Sequence, residues 1–278
     1  MQQTESMKKF KVIISGGGTG GHIFPALAIA KSIEKKVDKV EFLFVGAEDR
    51  MEMEKIPAAG YKIVGLWISG LQRNFSRRNL LFLLKLISSL LKAKKIIKQF
   101  KPDLAIGTGG YASGPLLFSA ANKGVPSLIQ EQNSYPGITN KILAKYVQKV
   151  CVAYDNMERF FGNKKLIITG NPIRENILNF DVKIEAGIKL FDIDASIPTV
   201  LVVGGSLGAR TINNAIAENI ADFETANVNL IWQTGISFQY QAKEITNKVG
   251  VAGIQSYTFI KDMDLAYAAK KSLFAKLS

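Results

Sequence analysis

Cysteine and histidine each occur once in the 278 residues, as Cys151 and His22. A single thiol excludes a disulfide framework and a cysteine-based metal cluster, and it suits a reducing compartment. A single imidazole excludes a histidine-rich metal site, so any ion would need carboxylates or phosphates; no metal and no cofactor is expected. Long hydrophobic runs are also lacking. The longest, around Leu80 to Ile87, is broken by Lys85 and is too short to span a bilayer. Met1 to Lys11 is polar and basic and does not resemble a signal peptide, so a cytosolic protein is expected.

Acidic residues are missing from one stretch in particular. Arg73 to Lys101 carries nine basic residues and no acidic one. Residues 1–150 hold 23 Lys and Arg against 10 Asp and Glu, while residues 151–278 hold 13 against 13, so the whole net charge of +13 sits in the first half. Such a localised field suits an anionic partner, whether a phosphorylated ligand, nucleic acid or an acidic lipid surface, although solubility alone also accounts for a charge bias. No RNA- or DNA-binding signature accompanies it, so nucleic acid is not expected as a partner.

What is present describes a globular α/β protein. Apolar residues make up 47% and charged residues 21%, and the length suits about two domains. Short β-branched runs at Lys11–Ser15, Val40–Val45, Leu104–Ile106, Ser127–Ile129, Lys149–Val152 and Leu166–Thr169 read as strands. Pro25–Lys35, Leu80–Phe100, Gly114–Lys123 and Thr139–Tyr146 read as the helices between them. Several strands are continuous apolar runs, the mark of a parallel sheet covered on both faces. The pattern restarts at Thr199–Val203, with a helix over Ala209–Asn219 and strands at Asn229–Gln233 and Gln255–Phe259. The expectation is two Rossmann-like domains, 1–170 and 171–278, facing across a cleft, with Asn171–Pro172 at the hinge.

Three times a strand runs into a glycine-rich turn that opens a helix: VIISGGGTGGHIFPALAIA from Val12, LAIGTGGYASGPLLFSAA from Leu104 and TVLVVGGSLGARTINNAI from Thr199. Glycine lets a ligand approach the backbone, and the following helix N-terminus offers free N–H groups and partial positive charge. Three such loops favour a diphosphate-containing ligand. Gly16, Gly18 and Gly21 also satisfy G-x-G-x-x-G, but a dinucleotide site wants an acid closing the second strand. Here Glu48 comes late, beyond Gly46, and the other two loops stay unexplained. No P-loop pattern exists.

GGGTGGHIFPALAIA, GTGGYASGP, QEQNSYPGITNKILAKY, TGNPIR and GGSLGARTINNAI, in this order, resemble the MurG family of bacterial N-acetylglucosaminyltransferases, over about Lys9 to Ala269. The resemblance implies a GT-B fold and an inverting transfer of GlcNAc from UDP-GlcNAc. The implied acceptor is undecaprenyl-diphosphate-MurNAc-pentapeptide (lipid I to lipid II), met by a peripheral protein on the cytoplasmic face of the inner membrane. It places Thr19, Gly20, Gly21, Asn133, Arg174, Ser206 and Ile260 in the UDP-GlcNAc site. Arg174 suits a phosphate fork, with an ion pair to Glu175 or Asp181 as the alternative; Ser206 suits a phosphate or a plain N-cap. The first two loops, through Gly17, Gly18, Gly109, Gly110 and Tyr111, are candidates for the acceptor diphosphate.

His22 follows the first loop directly. It is a candidate general base for the attacking hydroxyl; contacting the donor sugar and orienting the loop are the alternatives. Leu71 to Phe100 is the candidate membrane surface, or else a long core helix with a solvated basic end. Arg73, Phe75, Arg77, Arg78, Leu80, Leu83, Leu84, Lys85 and Ile87 are its candidate contacts, with Trp67 nearby.

One departure stands out. After AYAA the family continues into a further strand and a glycine-containing loop that hold uracil and ribose, whereas this chain runs KKSLFAKLS. An incomplete second domain with three clear strands is therefore expected. The alternative to an active transferase is a catalytically weak or inactive form that keeps acceptor and membrane binding.

Overall fold

The computed structural model describes residues 9–70, 78–162, 165–173, 181–204, 208–269 and 273–275. The chain forms two compact units, Met1–Arg174 and Glu175–Ser278.

The first unit is built on seven parallel strands: β1 (Phe10–Gly16), β2 (Val40–Ala47), β3 (Ile63–Leu66), β4 (Leu104–Gly109), β5 (Ser127–Glu131), β6 (Lys149–Val152) and β7 (Leu166–Ile168). Their order is β3-β2-β1-β4-β5-β6-β7. Helices α1 (Gly20–Glu34), α2 (Glu52–Ala58), α3 (Arg78–Phe100), α4 (Ser113–Asn122), α5 (Ile138–Leu143) and α6 (Glu158–Phe161) connect them. Side chains of β1 alternate between two cores because a strand has a period of two. Ile13 packs with Leu66, Ala93, Ile97, Leu116 and Leu143 on one face, and Val12 and Ile14 pack with Ile23, Ala26, Phe44 and Ile56 on the other. Burying an isoleucine such as Ile13 contributes roughly 1.5–3 kcal/mol. With both faces covered, the strands need no polar side, which explains their continuous apolar runs.

In the second unit α7 (Ile184–Phe191) precedes β8 (Thr199–Val203), which is followed by α8 (Arg210–Glu218), α9 (Ile220–Thr225), β9 (Asn229–Gln233), α10 (Gln239–Val249), β10 (Ile254–Tyr257), α11 (Met263–Ala269) and β11 (Leu273–Ala275). The parallel order β10-β9-β8-β11 repeats the β3-β2-β1-β4 arrangement of the first unit. Trp232 on β9 is fully buried on one face with Leu230, Phe238 and Ala242, while Ile231 faces Leu201, Phe191 and Ala266 on the other.

Several elements differ from the sequence reading. Helix α1 starts at Gly20, five residues before the expected Pro25, and holds Pro25 inside. Only the carbonyl of Gly21 loses its helical donor to the proline, and Gly21 is exposed to water. β3 was not expected, because Ile63-Val-Gly-Leu66 is four residues long and contains a glycine. The polar helix α10 was not expected either, because its sequence has no apolar run. The second unit has a fourth strand where three were expected: β11 lies in the KKSLFAKLS tail and pairs parallel with β8, Leu273 opposite Val200 and Ala275 opposite Val202.

Candidate functional site

In an open parallel sheet the strand order reverses at a switch point, and ligands bind beyond the strand ends there. In the first unit that point lies between β1 and β4, where the first two glycine loops leave the sheet. The loops are packed together: the Gly17 N–H donates to the Gly109 carbonyl at 3.3 Å. Gly109 and Gly110 have φ of +109° and +91°, which side chains rarely adopt, and a Cβ on Gly110 would collide with the Gly17 carbonyl.

A buried carboxylate holds the first loop from behind. Glu52, the first residue of α2, is 1% exposed. Its Oε2 accepts the Gly18 N–H at 2.8 Å, and its Oε1 accepts the Ala47 N–H at 2.9 Å. Side chains at Gly17 or Gly46 would occupy the same space as this carboxylate. The N–H groups of Gly17 and Gly18 are thus already bonded within the protein. Those at the start of α1, on Gly20 and Gly21, have no intrahelical acceptor and lie where the helix dipole is positive. Thr19 caps α1 in extended conformation, and its side chain makes no capping bond. The second loop opens α4 with Ser113, whose hydroxyl donates to the Ser15 and Gly109 carbonyls at 3.0 and 2.8 Å. Pro115 in its first turn has no N–H to leave unpaired. Tyr111 is half exposed and its ring covers Gly70, where a Cβ would strike it.

His22 stands in the first turn of α1, half-buried against Gly109; a Cβ there would come within 2.7 Å of its imidazole. Its backbone carbonyl accepts the Thr108 hydroxyl at 2.8 Å. Its Nδ1 lies 3.0 Å from Gln132 Oε1, so an amide rather than an acid partners it. Beside Gln132, Glu131 is 1% exposed, and its carboxylate accepts both N–H groups of Asn133, backbone (3.1 Å) and side chain (3.0 Å). It also accepts the Gly137 N–H and the Asn140 amide. Asn133 is exposed, with its side chain fixed in direction by this bond.

In the second unit the third loop leaves β8. Gly208, with φ of +85°, sits against Thr234 and Asn213, and the fully buried Asn213 donates to the Thr234 carbonyl and accepts from Trp232 Nε1. Ile260 is buried in the core, and its N–H donates to Gln233 Oε1 at 2.9 Å. Its side chain is therefore closed to a ligand. Arg174 and Ser206 lie outside the described residues.

Of the candidate membrane residues, Arg73, Phe75 and Arg77 lie outside the described residues, and Arg78 and Leu80 are described as backbone in α3 only. The remainder of α3 has two opposed faces. Ser89, Ala93, Ile96 and Ile97 are buried, while Leu81, Leu83, Leu84, Ile87 and Leu91 are 48–62% exposed. At 100° per residue, Lys94, Lys95 and Lys98 continue that outer face toward the C-terminus. Lys85 is not a free cation: its ammonium donates to Ser69 Oγ at 3.1 Å and lies 5.4 Å from the centre of the Trp67 ring. Among the described residues no helix is long and apolar enough to cross a membrane.

Sequence reasoning missed Glu52, Gln130 and Gln132. Nothing in AEDRMEMEK distinguishes Glu52 from Glu48 or Glu54, since its role depends on a contact 34 residues away. Glu48, the acid that comes late after the second strand, is paired with Lys92 at 2.9 Å. In the QEQN segment the resemblance singles out Asn133 alone.

Comparison with known proteins fits this arrangement. Residues 12–152 match the glycosyltransferase family 28 N-terminal domain, and residues 199–273 match the C-terminal domain of the same family. The chain is 51% identical over 263 residues to the UDP-N-acetylglucosamine--N-acetylmuramyl-(pentapeptide) pyrophosphoryl-undecaprenol N-acetylglucosamine transferase of Parabacteroides distasonis, covering 95% of this chain and 72% of that one. It is 52% identical over 261 residues to the same-named protein of Cytophaga hutchinsonii, covering 94% and 70%. The crystal structure of Acinetobacter baumannii MurG superposes with a TM-score of 0.69 at 28% identity, over 94% of this chain and 71% of that one. The UDP-GlcNAc 2-epimerase of Neisseria meningitidis, at 13% identity and TM-score 0.64 over 94% and 75%, shares the fold. The chain belongs to glycosyltransferase family 28 and, within it, to the MurG family.

Proposed function

We propose that this chain transfers GlcNAc from UDP-GlcNAc to lipid I, forming lipid II for peptidoglycan synthesis. The acceptor hydroxyl attacks the anomeric carbon of GlcNAc as the bond to the UDP β-phosphate oxygen breaks, which inverts that centre. His22 takes the proton of the attacking hydroxyl. The observation that carries this reading is the seating of His22: the chain's single imidazole stands at the switch point, between two glycine turns and beside the unpaired N–H groups that open α1.

The glycine loops, through Gly109, Gly110 and Tyr111, hold the acceptor diphosphate. Thr19, Gly20, Gly21 and Asn133 face the donor sugar. Arg174, Ser206 and the Ile260 carbonyl serve the nucleotide. No cofactor or metal takes part in this reading. The outer face of α3 meets an anionic membrane: five exposed apolar side chains enter the interface and the following lysines meet the head groups, at about 1 kcal/mol per nearby cation. The protein then works as a peripheral protein on the cytoplasmic side, where its nucleotide-sugar donor is found.

The test is GlcNAc transfer from UDP-GlcNAc to a lipid I analogue. His22→Ala should lower kcat by about 10²–10⁴-fold, the usual contribution of a general base, with the Kd for UDP-GlcNAc little changed. Undiminished turnover would reject the base, and a loss confined to donor affinity would make His22 a sugar contact.

A further inference from the structure

We infer that Gln132 is the positioning residue that sets the tautomer of His22, keeping the proton on Nδ1 and leaving Nε2 with a free lone pair. The catalytic consequence rests on His22 acting as base; the tautomer itself rests on hydrogen-bond geometry.

The orientation of the Gln132 amide is fixed by its neighbours. Its nitrogen lies 2.8 Å from the Thr108 carbonyl and 3.1 Å from the Gln130 carbonyl, and it also meets Gln130 Oε1. All three are oxygens, and the two carbonyls can only accept. An amide turned the other way would set its own oxygen against these three oxygens. The nitrogen therefore belongs on that side, and Oε1 faces His22 Nδ1 at 3.0 Å. An amide oxygen cannot donate, so Nδ1 must. A neutral imidazole has one N–H, so Nε2 is left bare, as a base requires.

The next amides point the same way. Gln130 Nε2 donates to the Glu131 carbonyl and to Asn171 Oδ1, both at 3.3 Å, which leaves Gln130 Oε1 to accept from Gln132. Asn171 Nδ2 donates to the Gln132 carbonyl at 3.3 Å. The bonds run in one direction, from His22 through Gln132 and Gln130 to Asn171, and end on a backbone carbonyl. Gln130 is 2% exposed, so its orientation is not exchanged freely with water. The backbone of His22 is held separately, through the Thr108 hydroxyl. The network therefore turns the ring without having to hold the helix.

Because the chain has one histidine, 15N-histidine labelling gives a single imidazole to observe. About two pH units above the ordinary histidine pKa, the wild type should show Nδ1 as the protonated nitrogen and Nε2 as the bare one, the reverse of the form an unconstrained histidine favours in water. Gln132→Leu, similar in size but without an acceptor, should move the majority to the Nε2–H form. It should also lower kcat about tenfold or more at unchanged KM for UDP-GlcNAc, since ground-state binding does not use the bond. Protonated Nε2 in the wild type would overturn the proposal whatever the activity shows. A Gln132→Leu protein with altered tautomer but wild-type kcat would overturn the positioning role. Protonated Nδ1 together with full activity in His22→Ala would uphold the tautomer and refute the base.

Discussion

Glu52 accepts the backbone N–H of Gly18 at 2.8 Å, so the first glycine loop is held by an anion belonging to the protein itself. The same carboxylate accepts the Ala47 N–H, tying the ends of β1 and β2 to the start of α2. One loop amide is thereby removed from service to a substrate phosphate, and the loop keeps its shape before any ligand arrives.

Removing that carboxylate should be costly. Glu52→Ala leaves two N–H groups without their acceptor, worth about 1–3 kcal/mol for the buried Ala47 N–H and about 1 kcal/mol for the part-buried Gly18 N–H, so a loss of about 2–4 kcal/mol is expected in denaturant unfolding. Glu52→Gln keeps one acceptor oxygen and should lose less. Equal stability of all three proteins would show that water replaces the carboxylate without penalty.

Gly109 supports the imidazole of His22. Gly109→Ala puts a methyl group 2.7 Å from that ring, at a φ of +109°. Backbone strain of about 1–3 kcal/mol should appear in the melting temperature, and the displaced ring should reduce kcat more than tenfold. A variant with wild-type turnover would show that the ring has room to move.

The outer face of α3 can be altered with little effect on folding. Leu84→Ser, Ile87→Ser and Leu91→Ser change exposed positions, so each should cost under about 0.5 kcal/mol of stability. Together they should weaken sedimentation with anionic vesicles at least tenfold, given roughly 1.5–3 kcal/mol for each fully buried apolar side chain. Changing Arg73, Arg77 and Arg78 to Gln should instead reduce the difference between anionic and neutral vesicles, a difference that salt also screens. Unaltered vesicle binding in the triple serine variant would place the membrane contact elsewhere.

In the second unit Lys183 pairs with Asp264 at 2.6 Å, and the hydrogen bond from this ammonium holds the Asp264 carboxyl below its usual range. A carboxyl with a depressed folded pKa adds stability above its unfolded value, about 3.9, and that stability is lost as pH falls through the folded value. Lys183→Met should therefore cost about 0.5–1 kcal/mol at neutral pH, the scale of a partly exposed pair, and almost nothing at a pH below the folded value. An equal cost at both pH values would assign the effect to packing rather than charge.

The sequence determined the class of fold, the three strand–loop–helix units and the family. Apolar runs such as Val12–Ile14 and Leu201–Val203 and the glycines that follow them act over a few residues, so their meaning survives in one dimension. It also located α3 to within two residues and marked His22 as the side chain with suitable chemistry. What the tertiary structure decided is what each of these residues touches. Glu52 among four neighbouring acids, Gln132 beside Asn133, and Lys85 turned onto Trp67 acquire their roles from partners 34, 110 and 18 residues distant in the chain. The exposed outer face of α3 belongs here as well: Leu84 and Ile97 are equally apolar, and only the packing of the helix on its sheet leaves one outside and buries the other. Hydrogen bonds and burial depend on distance in space, and spacing along the chain carries that distance only within a turn or a strand.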